Sequence, residues 1–385
     1  MQRPGSVVRG VVRGAFLILS VSHPLAAQPT PSCPSCADGA ALVKRFELPE
    51  SATPVRARPD WSPPKKIVTT GGQEWTALLR TVAPGAEVIG VANSRAAVAA
   101  LPGADIYIGF CSPEILAAGK ELRWIQLTSA GADRCAPLVA ESGREILLTN
   151  AQGLLGPNVA DHAIALLLTL TRRLHVYHEQ QRLGSWSEDP VVLRGDPGTA
   201  PWELEGKGLL VIGLGGIGTE IARRGHAFGM RVRATRSSTR EGPDFVEYVG
   251  LAGEAVTLAQ WADVVVNAAP LTPATRAMFD SRFFAAMKPT AYFINVGRGE
   301  SVVTEDLVAA LRGGRIAGAG LDVTAPEPLP AGHPLWSMPD VVLTPHSAGA
   351  SDQIRRRLLV LAAENLRRYV RGERMLSVVD PRRGY

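Results

Sequence analysis

The sequence predicts an α/β fold with two parallel sheets, and three observations point to it. Short apolar runs alternate with helical stretches from residue 65 onwards, and strands joined by crossover helices form parallel sheets. One run, at 209–212, has no polar residue, as expected of a strand buried on both faces of a sheet. The length of 385 residues is enough for two domains of ordinary size.

This apolar run leads directly into a glycine-rich turn with the spacing G-x-G-x-x-G. In that motif Gly213 allows the tight turn, Gly215 lets the backbone approach a pyrophosphate, and Gly218 lets the next helix pack closely on the strand. The start of the helix, at Gly216 and Ile217, offers unpaired N–H groups and the positive end of the helix dipole. The sequence therefore predicts a dinucleotide site here, although the motif alone also fits an ordinary turn.

A second strand, at 230–235, ends at the position that distinguishes the two nicotinamide dinucleotides. An NAD site usually has Asp or Glu there, which binds the ribose 2′-hydroxyl. This chain has Arg236, Ser237 and Ser238 instead, and a guanidinium with neighbouring hydroxyl groups suits a 2′-phosphate. The sequence favours NADP(H). The alternative is that Arg236 is a solvated surface charge and that the protein uses NAD(H).

The composition is typical of a globular protein, with 46% hydrophobic and 20% charged residues. The net charge is only +5, and nine arginines lie between 355 and 383, on or beside a terminal helix. A solvated helix face explains this cluster better than a nucleic-acid surface does. We therefore expect no nucleic-acid partner.

Residues 1–27 differ from the rest of the chain. Arginines precede a short apolar core at 15–21, and small or apolar residues lead up to Ala27. The pattern resembles a secretory signal peptide, and its core is too short for a stable membrane span. We expect an exported, periplasmic protein. The alternatives are an organelle presequence and a cytoplasmic protein with an upstream extension, and the lack of nicotinamide pools outside the cytoplasm argues against export.

Residues 28–64 are rich in Pro, Ser, Ala and charge, and predict a linker or a loosely attached arm. Within them, Cys33 and Cys36 have the C-x-x-C spacing of a redox motif or half of a zinc site. No second such pair or paired histidines complete a metal site, so we predict no metal. The four cysteines, which include Cys111 and Cys135, allow three pairings.

Alternating strands and short helices from 65 to 157 predict a first small α/β domain. One of its loops, at 128–133, reads T-S-A-G-A-D and follows a strand, at the edge where open α/β sheets bind ligands. The small residues Ser129, Ala130 and Gly131 leave backbone N–H groups accessible to an anion. The loop is equally explained as a tight connection.

A long helix is predicted to begin at Asn158 as its cap, with Asp161 in the first turn, where the helix dipole favours an acid. From 163 to 170 the helix is apolar on every side, so we expect it to be buried all round. Such a helix can be an interdomain strut or a subunit interface. His162, near its start, is predicted to be structural.

Further strands recur at regular intervals up to residue 344 and are separated by helices. Residues 158–349 are therefore predicted to form the dinucleotide-binding domain. A last helix, at 351–371, has apolar residues at helical spacing. We predict that it returns to the first domain, which then comprises 65–157 and 350–385.

Three polar residues follow late strands of this second domain. Arg298 lies in I-N-V-G-R-G-E, Glu327 in L-D-V-T-A-P-E-P-L-P and His346 in L-T-P-H-S-A-G. Together they suit the reduction of a 2-keto acid. The guanidinium can bind the substrate carboxylate bidentately and polarise its keto oxygen. The histidine, kept protonated by the nearby carboxylate, can give that oxygen a proton as hydride arrives.

From about residue 124 to 371 the chain resembles the D-isomer-specific 2-hydroxyacid dehydrogenases. The matching strings, in family order, are S-A-G-A-D, N-V-A-D-H-A-I-A, V-I-G-L-G-G-I-G, A-P-L-T-P-A-T-R, N-V-G-R-G-E, G-L-D-V-T-A-P-E-P-L-P and T-P-H-S-A-G. Such an ordered set is far more specific than any one string. The D-V-T-A-P-E-P-L-P string and the basic strand end are most similar to the glyoxylate and hydroxypyruvate reductase branch.

The resemblance implies two Rossmann-like domains with parallel sheets, a flavodoxin-like substrate domain and an NAD(P)-binding domain. It implies hydride transfer between a small 2-keto acid and its D-2-hydroxy acid, with Arg298, Glu327 and His346 as catalytic residues. It also implies backbone donors to the substrate carboxylate from Ser129 to Gly131, and a homodimer joined through the cofactor domain and its long helix. The residues implied to contact the nicotinamide half of the cofactor are Pro270, Thr275, Val296 and Asp322.

Two features depart from the family, since Asp161 stands where glutamate is usual and the leader is not a family feature. Two other functions stay open. One is a non-catalytic, dinucleotide-sensing scaffold on the same fold, against which the intact Arg298, Glu327 and His346 argue. The other is oxidation of a one-carbon or phosphorus oxyanion. The acid–base pair favours a hydroxy acid, because formate oxidation needs no proton acceptor on a hydroxyl.

Overall fold

Two parallel sheets, one of five strands and one of seven, organise the chain. The computed structural model describes residues 38–186 and 201–384. The predicted leader and the pair Cys33 and Cys36 lie outside the described residues. The α/β fold with two Rossmann-like domains is confirmed, because every ladder within both sheets is parallel. The domain boundaries given by the sequence stay a prediction.

The segment 38–64, predicted as part of a linker, is folded instead. It contains helix α1 (Gly39–Phe46) and strand β1 (Glu50–Pro54). Leu42 on α1 is fully buried and belongs to the same apolar cluster as Leu361 of the C-terminal helix. Composition suggested a linker, but contacts with residues more than 300 positions away order the segment.

The smaller sheet is covered by helices on both faces. Its elements are β2 (Lys66–Thr69), α2 (Gln73–Val82), β3 (Glu87–Gly90), α3 (Ser94–Ala100), β4 (Ile106–Gly109), α4 (Pro113–Ala118), β5 (Trp124–Leu127), α5 (Ala136–Glu141) and β6 (Leu147–Thr149). The strand order is β3-β2-β4-β5-β6. Tyr107 belongs to the core on one face, whereas Ile106 and Ile108 belong to the core on the other, because side chains alternate along a strand.

The larger sheet carries the glycine-rich turn. Its elements are α6 (Gly156–Thr171), α7 (Leu174–Arg182), β7 (Gly208–Ile212), α8 (Gly216–Ala227), β8 (Arg231–Arg236), β9 (Tyr248–Leu251), α9 (Ala255–Ala259), β10 (Val264–Asn267), α10 (Ser281–Ala286), β11 (Tyr292–Asn295), α11 (Thr304–Arg312), β12 (Gly318–Leu321) and β13 (Val341–Leu343). The strand order is β13-β12-β11-β10-β7-β8-β9. Leu209 and Val211 face the core with α6 and α8, whereas Leu210 and Ile212 face the core with α9, α10 and α11.

Asn158 does not cap α6, which corrects the prediction. The helix begins at Gly156, with Leu155 at the N-cap position. The Asn158 amide donates to the carbonyl oxygens of Ala348 and Gly349, at 3.2 and 2.6 Å. The side chain therefore joins α6 to the loop after β13 rather than closing the end of its own helix.

The apolar stretch of α6 is not buried on every side. Ile164 and Leu167 are buried against the larger sheet, but Ala165 is exposed. Asp161 lies beyond the first turn, and its carboxylate is 2.7 Å from Nε of Arg224 on α8. The acid therefore pairs with a neighbouring helix instead of stabilising the helix dipole.

The chain ends on the smaller sheet. Helix α12 (Ile354–Arg371) packs there, and Tyr369 stacks on Trp124 with ring centroids 5.2 Å apart. Strand β14 (Arg374–Leu376) then pairs antiparallel with β1. Among the described residues, no helix combines the length and apolar character that crossing a membrane requires.

Candidate active site

The glycine turn between β7 and α8 leaves room at one glycine and none at two others. Gly213 has a φ of 93°, and a Cβ there would lie 2.7 Å from Cα of Ala269. A Cβ at Gly218 would collide with the carbonyl oxygen of Gly213. A Cβ at Gly215 would meet no protein atom within 4 Å. The turn thus has the tight bend, the close helix packing and the open face that the motif requires for a pyrophosphate.

The start of α8 is also suited to an anion. No side chain caps this helix end, and the first N–H groups of a helix have no acceptor within it. Those groups belong to Gly216, Ile217 and Gly218. Together with the positive end of the helix dipole they can hold a phosphate group. The residues present therefore fit the pyrophosphate of a dinucleotide.

Arg236 ends β8, next to the glycine turn. Leu214 N in that turn donates to Thr235 O on β8, at 2.8 Å. The Nε atom of Arg236 is buried and has no hydrogen-bond partner among the described residues, and Ser237 beside it is exposed. The next arginine, Arg240, is already paired, with 2.6 Å between its Nη2 and Glu254. Arg236 therefore has a donor to spare at the end of β8.

Pro270, Thr275 and Val296 lie beside the turn, at the carboxyl ends of β10 and β11. Pro270 directly follows Ala269, which limits the space at Gly213. The hydroxyl of Thr275 donates to Pro270 O at 2.6 Å, and Val296 is buried. The structure thus brings these three residues to the same sheet edge as the glycines.

Arg298 extends from a loop that is held by buried polar side chains. Asn295 Nδ2 and Ser301 Oγ both donate to Arg298 O, at 3.1 and 2.6 Å. Asn267 Nδ2 in turn contacts Asn295 Oδ1 and Ser301 Oγ, at 2.9 and 2.8 Å. All three side chains are buried. Sequence reasoning missed them, although an asparagine ends both apolar strands.

The guanidinium of Arg298 reaches the T-S-A-G-A-D loop of the smaller sheet. Its Nε donates to Asp133 Oδ1 at 3.1 Å, and its Nη2 lies 3.0 Å from the same oxygen. A Cβ at Gly131 would collide with Nη2, so glycine is what allows this approach. The structure therefore brings Arg298 to the residues from Ser129 to Gly131. Among the described residues, none accepts a hydrogen bond from the N–H groups of Ala130 and Gly131.

His346 and Glu327 form the second half of the site. His346 Nδ1 lies 2.9 Å from Glu327 Oε2, and no described residue bonds to the other ring nitrogen, Nε2. His346 has a left-handed backbone conformation, with a φ of 52°, and residues other than glycine adopt it only when the surroundings enforce it. Here the His346 N–H donates to Asp322 O at 2.8 Å.

The resemblance implies that Asp322 contacts the nicotinamide, but both oxygens of its carboxylate already accept hydrogen bonds from groups of the protein. Its Oδ1 accepts hydrogen bonds from Thr344 Oγ1 and Ser347 N, at 2.7 and 2.9 Å. Its Oδ2 accepts one from Ala348 N at 3.0 Å. The buried carboxylate thus holds the loop that carries His346. His162 Nε2 completes this cluster, 2.8 Å from Thr344 Oγ1, as expected of a structural histidine.

Arg298 and the Glu327–His346 pair meet two adjacent residues of one loop. Asp133 pairs with Arg298, and Arg134 Nη2 lies 3.8 Å from Glu327 Oε2. The three candidate catalytic side chains are thus gathered where the carboxyl ends of strands from both sheets face one another. A guanidinium and an imidazole–carboxylate pair can bind an anionic carbonyl compound and move a proton to or from it. Within the described ranges, no cluster of His, Cys, Asp or Glu is arranged to hold a metal ion.

Comparisons with known proteins indicate the family of the chain. The family model described as "D-isomer specific 2-hydroxyacid dehydrogenase, NAD binding domain" matches residues 164–348 of this chain. A mouse protein named glyoxylate reductase/hydroxypyruvate reductase is 39% identical over 266 residues, which are 68% of this chain and 78% of the mouse chain.

Solved structures share the fold as well. A D-isomer specific 2-hydroxyacid dehydrogenase family protein from Aeromonas salmonicida is 31% identical with a TM-score of 0.70, covering 83% of this chain and 100% of its own. An NADPH-dependent glyoxylate/hydroxypyruvate reductase from Sinorhizobium meliloti, solved with NADP and malonate, is 31% identical with a TM-score of 0.63, covering 78% of this chain and 92% of its own. With the glycine turn and the gathered Arg298, Glu327 and His346, these likenesses identify the chain as a member of the D-isomer specific 2-hydroxyacid dehydrogenase family, an NAD(P)-dependent oxidoreductase acting on CH–OH donors.

Proposed function

We propose that this enzyme reduces a small 2-keto acid, such as glyoxylate or hydroxypyruvate, to the D-2-hydroxy acid. The observation that carries the proposal is that Arg298 contacts Asp133, the last residue of the loop at 128–133, and that Glu327 of the Glu327–His346 pair contacts the next residue, Arg134. A bound nicotinamide supplies the hydride. The enzyme's own residues must then bind the carboxylate, polarise the keto oxygen and protonate it.

Each role follows from the contacts of the side chain. Arg298 has terminal N–H groups left for the substrate after its contacts with the protein, and a guanidinium binds a carboxylate bidentately. The N–H groups of Ala130 and Gly131 give the same carboxylate further donors. His346 uses Nδ1 for Glu327, so Nε2 is the nitrogen that donates the proton to the keto oxygen.

Oxidation of NADPH by glyoxylate, hydroxypyruvate or pyruvate, followed by absorbance, tests this function. We expect turnover with at least one of them, and D-glycerate as the product from hydroxypyruvate. The variant Arg298→Lys keeps the charge but loses the planar donor edge, and we expect its kcat/KM to fall at least tenfold. The matched control, Arg312→Lys on α11, leaves kcat/KM unchanged. The absence of turnover with every 2-keto acid contradicts the proposal and favours the dinucleotide-sensing scaffold.

For the cofactor we propose a preference for NADP(H) over NAD(H). The support is the spare, buried Nε donor of Arg236 at the end of β8 and the exposed serine that follows it. A lost hydrogen bond to a charged group costs about 1.5–3 kcal/mol. Arg236→Ala should therefore raise the Kd of NADPH by about 10- to 100-fold and leave that of NADH nearly unchanged. Arg240→Ala is the control, because Glu254 already holds that guanidinium. Equal weakening of both cofactors contradicts the preference.

We propose further that the enzyme is a homodimer joined through α6 and α7. None of the residues of α7 is buried, and Leu174 and Leu183 expose 51% and 74% of their surface. Large exposed apolar side chains at both ends of one short helix are candidates for contact with a protein partner. Light scattering should give the mass of a dimer, and Leu174→Glu should give that of a monomer. Phe228→Ser, which removes an exposed apolar side chain at the end of α8, should leave the mass unchanged. A monomeric wild type contradicts this assembly.

Export is a separate proposal. Its support is the apolar core at 15–21 and the disulfide between Cys111 and Cys135, since such bonds persist in oxidising compartments. N-terminal sequencing of the protein from fractionated cells tests it. A periplasmic or secreted chain that begins after Ala27 supports export. A cytoplasmic chain that keeps Met1 contradicts it.

A further inference from the structure

We propose that Asp133 is a positioning residue of the active site, which holds the guanidinium of Arg298 so that its terminal N–H groups face the bound 2-keto acid. The inference rests on the proposed function and adds a fourth residue to the three candidate catalytic ones. Asp133 acts through Arg298 and does not itself touch the substrate.

The guanidinium of Arg298 has more donors than its contacts with the protein use. A guanidinium carries five N–H groups, one on Nε and two on each terminal nitrogen. The Nε group of Arg298 donates to Asp133, and one group on Nη1 donates to Gly297 O at 2.9 Å. Even if Nη2 donates one of its N–H groups to Asp133, each terminal nitrogen keeps one N–H group that no described residue accepts. Those two donors form the edge that a carboxylate and keto oxygen can bind together.

Asp133 is itself fixed in place. Its side chain is 13% exposed and that of Arg298 is 25% exposed, so water competes little for the pair. Two residues further on, Cys135 is bonded to Cys111 beyond the end of β4. The N–H groups of Cys135 and Ala136 both donate to Ala132 O, at 2.9 and 2.7 Å. A carboxylate anchored in this way can orient a long, otherwise mobile arginine side chain.

Asp133 and a bound substrate do not compete for the guanidinium of Arg298. Asp133 uses one oxygen on the Nε side of Arg298, and a substrate would use the opposite end. The two anions therefore do not need the same donors. Removing Asp133 takes away a constraint on the arginine and also a negative charge that repels the substrate carboxylate. Substrate binding is then largely preserved, whereas the alignment needed for reaction is lost.

This balance predicts a split between the kinetic constants. Asp133→Ala should lower kcat for glyoxylate reduction by more than tenfold and change KM by less than about threefold. Asp133→Asn keeps an acceptor oxygen and should lie between the wild type and Asp133→Ala. The control is Asp105→Asn, since Asp105 forms a pair of similar burial with Arg123, 2.6 Å apart, remote from the glycine turn and the candidate triad. It should leave kcat unchanged. NADPH affinity and thermal unfolding of each variant verify that the protein is folded.

A double-mutant cycle tests the route of the effect. If Asp133 acts only through Arg298, adding Asp133→Ala to Arg298→Lys lowers kcat by less than twofold. If Asp133→Ala lowers kcat by the same factor in the wild type and in Arg298→Lys, the positioning role is overturned. A tenfold rise in KM with unchanged kcat in Asp133→Ala also overturns it.

A chemical measurement makes the inference independent of turnover. Phenylglyoxal modifies accessible arginines, and mass spectrometry gives the rate for each. Modification of Arg298 should be at least threefold faster in Asp133→Ala than in the wild type, while that of Arg134, whose side chain is 81% exposed, stays the same. Equal rates for Arg298 overturn the inference. If phenylglyoxal modifies Arg298 more slowly in the wild type than in Asp133→Ala, but the wild type reduces no 2-keto acid, the proposed function is contradicted. Asp133 is then still the residue that holds Arg298.

Discussion

Nδ1 of His346 lies 2.9 Å from Oε2 of Glu327, and this one contact leaves Nε2 as the ring nitrogen available to a substrate. A ring nitrogen bound to a carboxylate carries a proton, so the exchangeable site is Nε2. The left-handed backbone of His346 and the hydrogen bond from its N–H to Asp322 fix the direction in which the ring leaves the chain. The pair is therefore oriented before any substrate binds.

Replacing either member of this pair should reduce turnover by different amounts. His346→Gln removes the proton donor and should lower kcat by about 10²- to 10⁴-fold. Glu327→Gln keeps a hydrogen-bond partner but loses the charge, which is worth about 1.5–3 kcal/mol, and should lower kcat by about 10- to 100-fold. Because the two act as a unit, the double variant should be no worse than His346→Gln alone. His226→Gln on α8 is the control. If the fold loss of kcat in the double variant equals the product of the losses in the two single variants, the result contradicts the coupling.

The glycine turn offers a matched pair of substitutions. Gly213→Ala places a Cβ 2.7 Å from the backbone of Ala269 at a φ of 93°, and should destabilise the fold by about 1–3 kcal/mol. Gly215→Ala meets no protein atom within 4 Å, so its free energy of unfolding should stay within about 0.5 kcal/mol of the wild type. Its methyl group instead enters the space assigned to the pyrophosphate. We expect its Kd for NADPH to rise at least tenfold, measured by fluorescence titration. An unchanged Kd contradicts that assignment.

These two sites were predictable because their signals are local. The strand, the glycine spacing and the polar residue after each late strand lie within a few positions of one another, so Gly213 to Gly218 and the Arg298, Glu327 and His346 set could be named from the sequence. Boundaries were less accurate where signals are weak. The strand expected at 230–235 lies at Arg231–Arg236.

What could not be predicted depends on contacts between distant positions. The partner of Arg298 is 165 residues away in the chain, and the acceptors of the Asn158 amide are 190 and 191 residues away. The polar composition of 38–64 gave no sign that α1 would bury Leu42. A sequence motif also does not reveal that the carboxylate of Asp322, which matches a cofactor-contact position of the family, already accepts hydrogen bonds from the loop that carries His346.

Substitution of Asp322 separates two possible roles of its carboxylate, which are to contact the cofactor and to hold the loop that carries His346. Its three hydrogen bonds to Thr344, Ser347 and Ala348 mean that Asp322→Asn loses a buried charged acceptor, which costs about 1–3 kcal/mol. We expect that loss in urea unfolding, together with a lower kcat as the His346 loop relaxes. Thr344→Val removes one of the same bonds and should cost about 1 kcal/mol. NADPH affinity should change less than threefold in both. A tenfold weaker Kd in Asp322→Asn alone would support a direct contact with the cofactor.

The disulfide between Cys111 and Cys135 joins the end of β4 to the start of α5 across a sequence separation of 24. Closing a loop of this length lowers the entropy of the unfolded chain and should be worth about 3 kcal/mol. The variant with both cysteines replaced by serine should unfold at correspondingly lower urea concentration. Adding dithiothreitol to the wild type should lower its midpoint towards that of the variant, and should not move the variant itself. A wild type insensitive to the reductant, with free thiols by mass spectrometry, contradicts the bond.

Glu364 on α12 gives the fold a predictable dependence on pH. Burial opposes its ionisation, but hydrogen bonds from Arg367 and Arg368 prevail and lower the pKa of Glu364 below its usual value. The two arginines approach it at 2.8 and 2.7 Å. A carboxyl group whose pKa is lower in the folded state stabilises the fold fully above its unfolded pKa of about 4.3. That stabilisation is lost as the pH falls through the folded pKa.

Glu364→Gln should therefore cost about 1.5–3 kcal/mol at pH 7, and the difference from the wild type should shrink as the pH falls below about 4. Urea unfolding at a series of pH values measures it. Glu50→Gln is the matched control, because Glu50 is 43% exposed and also pairs with Arg368, at 2.8 Å. Exposed pairs contribute at most about 1 kcal/mol, so this variant should lose less at every pH. A difference for Glu364→Gln that does not shrink at any pH below about 4 contradicts the ionic origin of its stabilisation, because a protonated carboxyl group no longer attracts the two arginines.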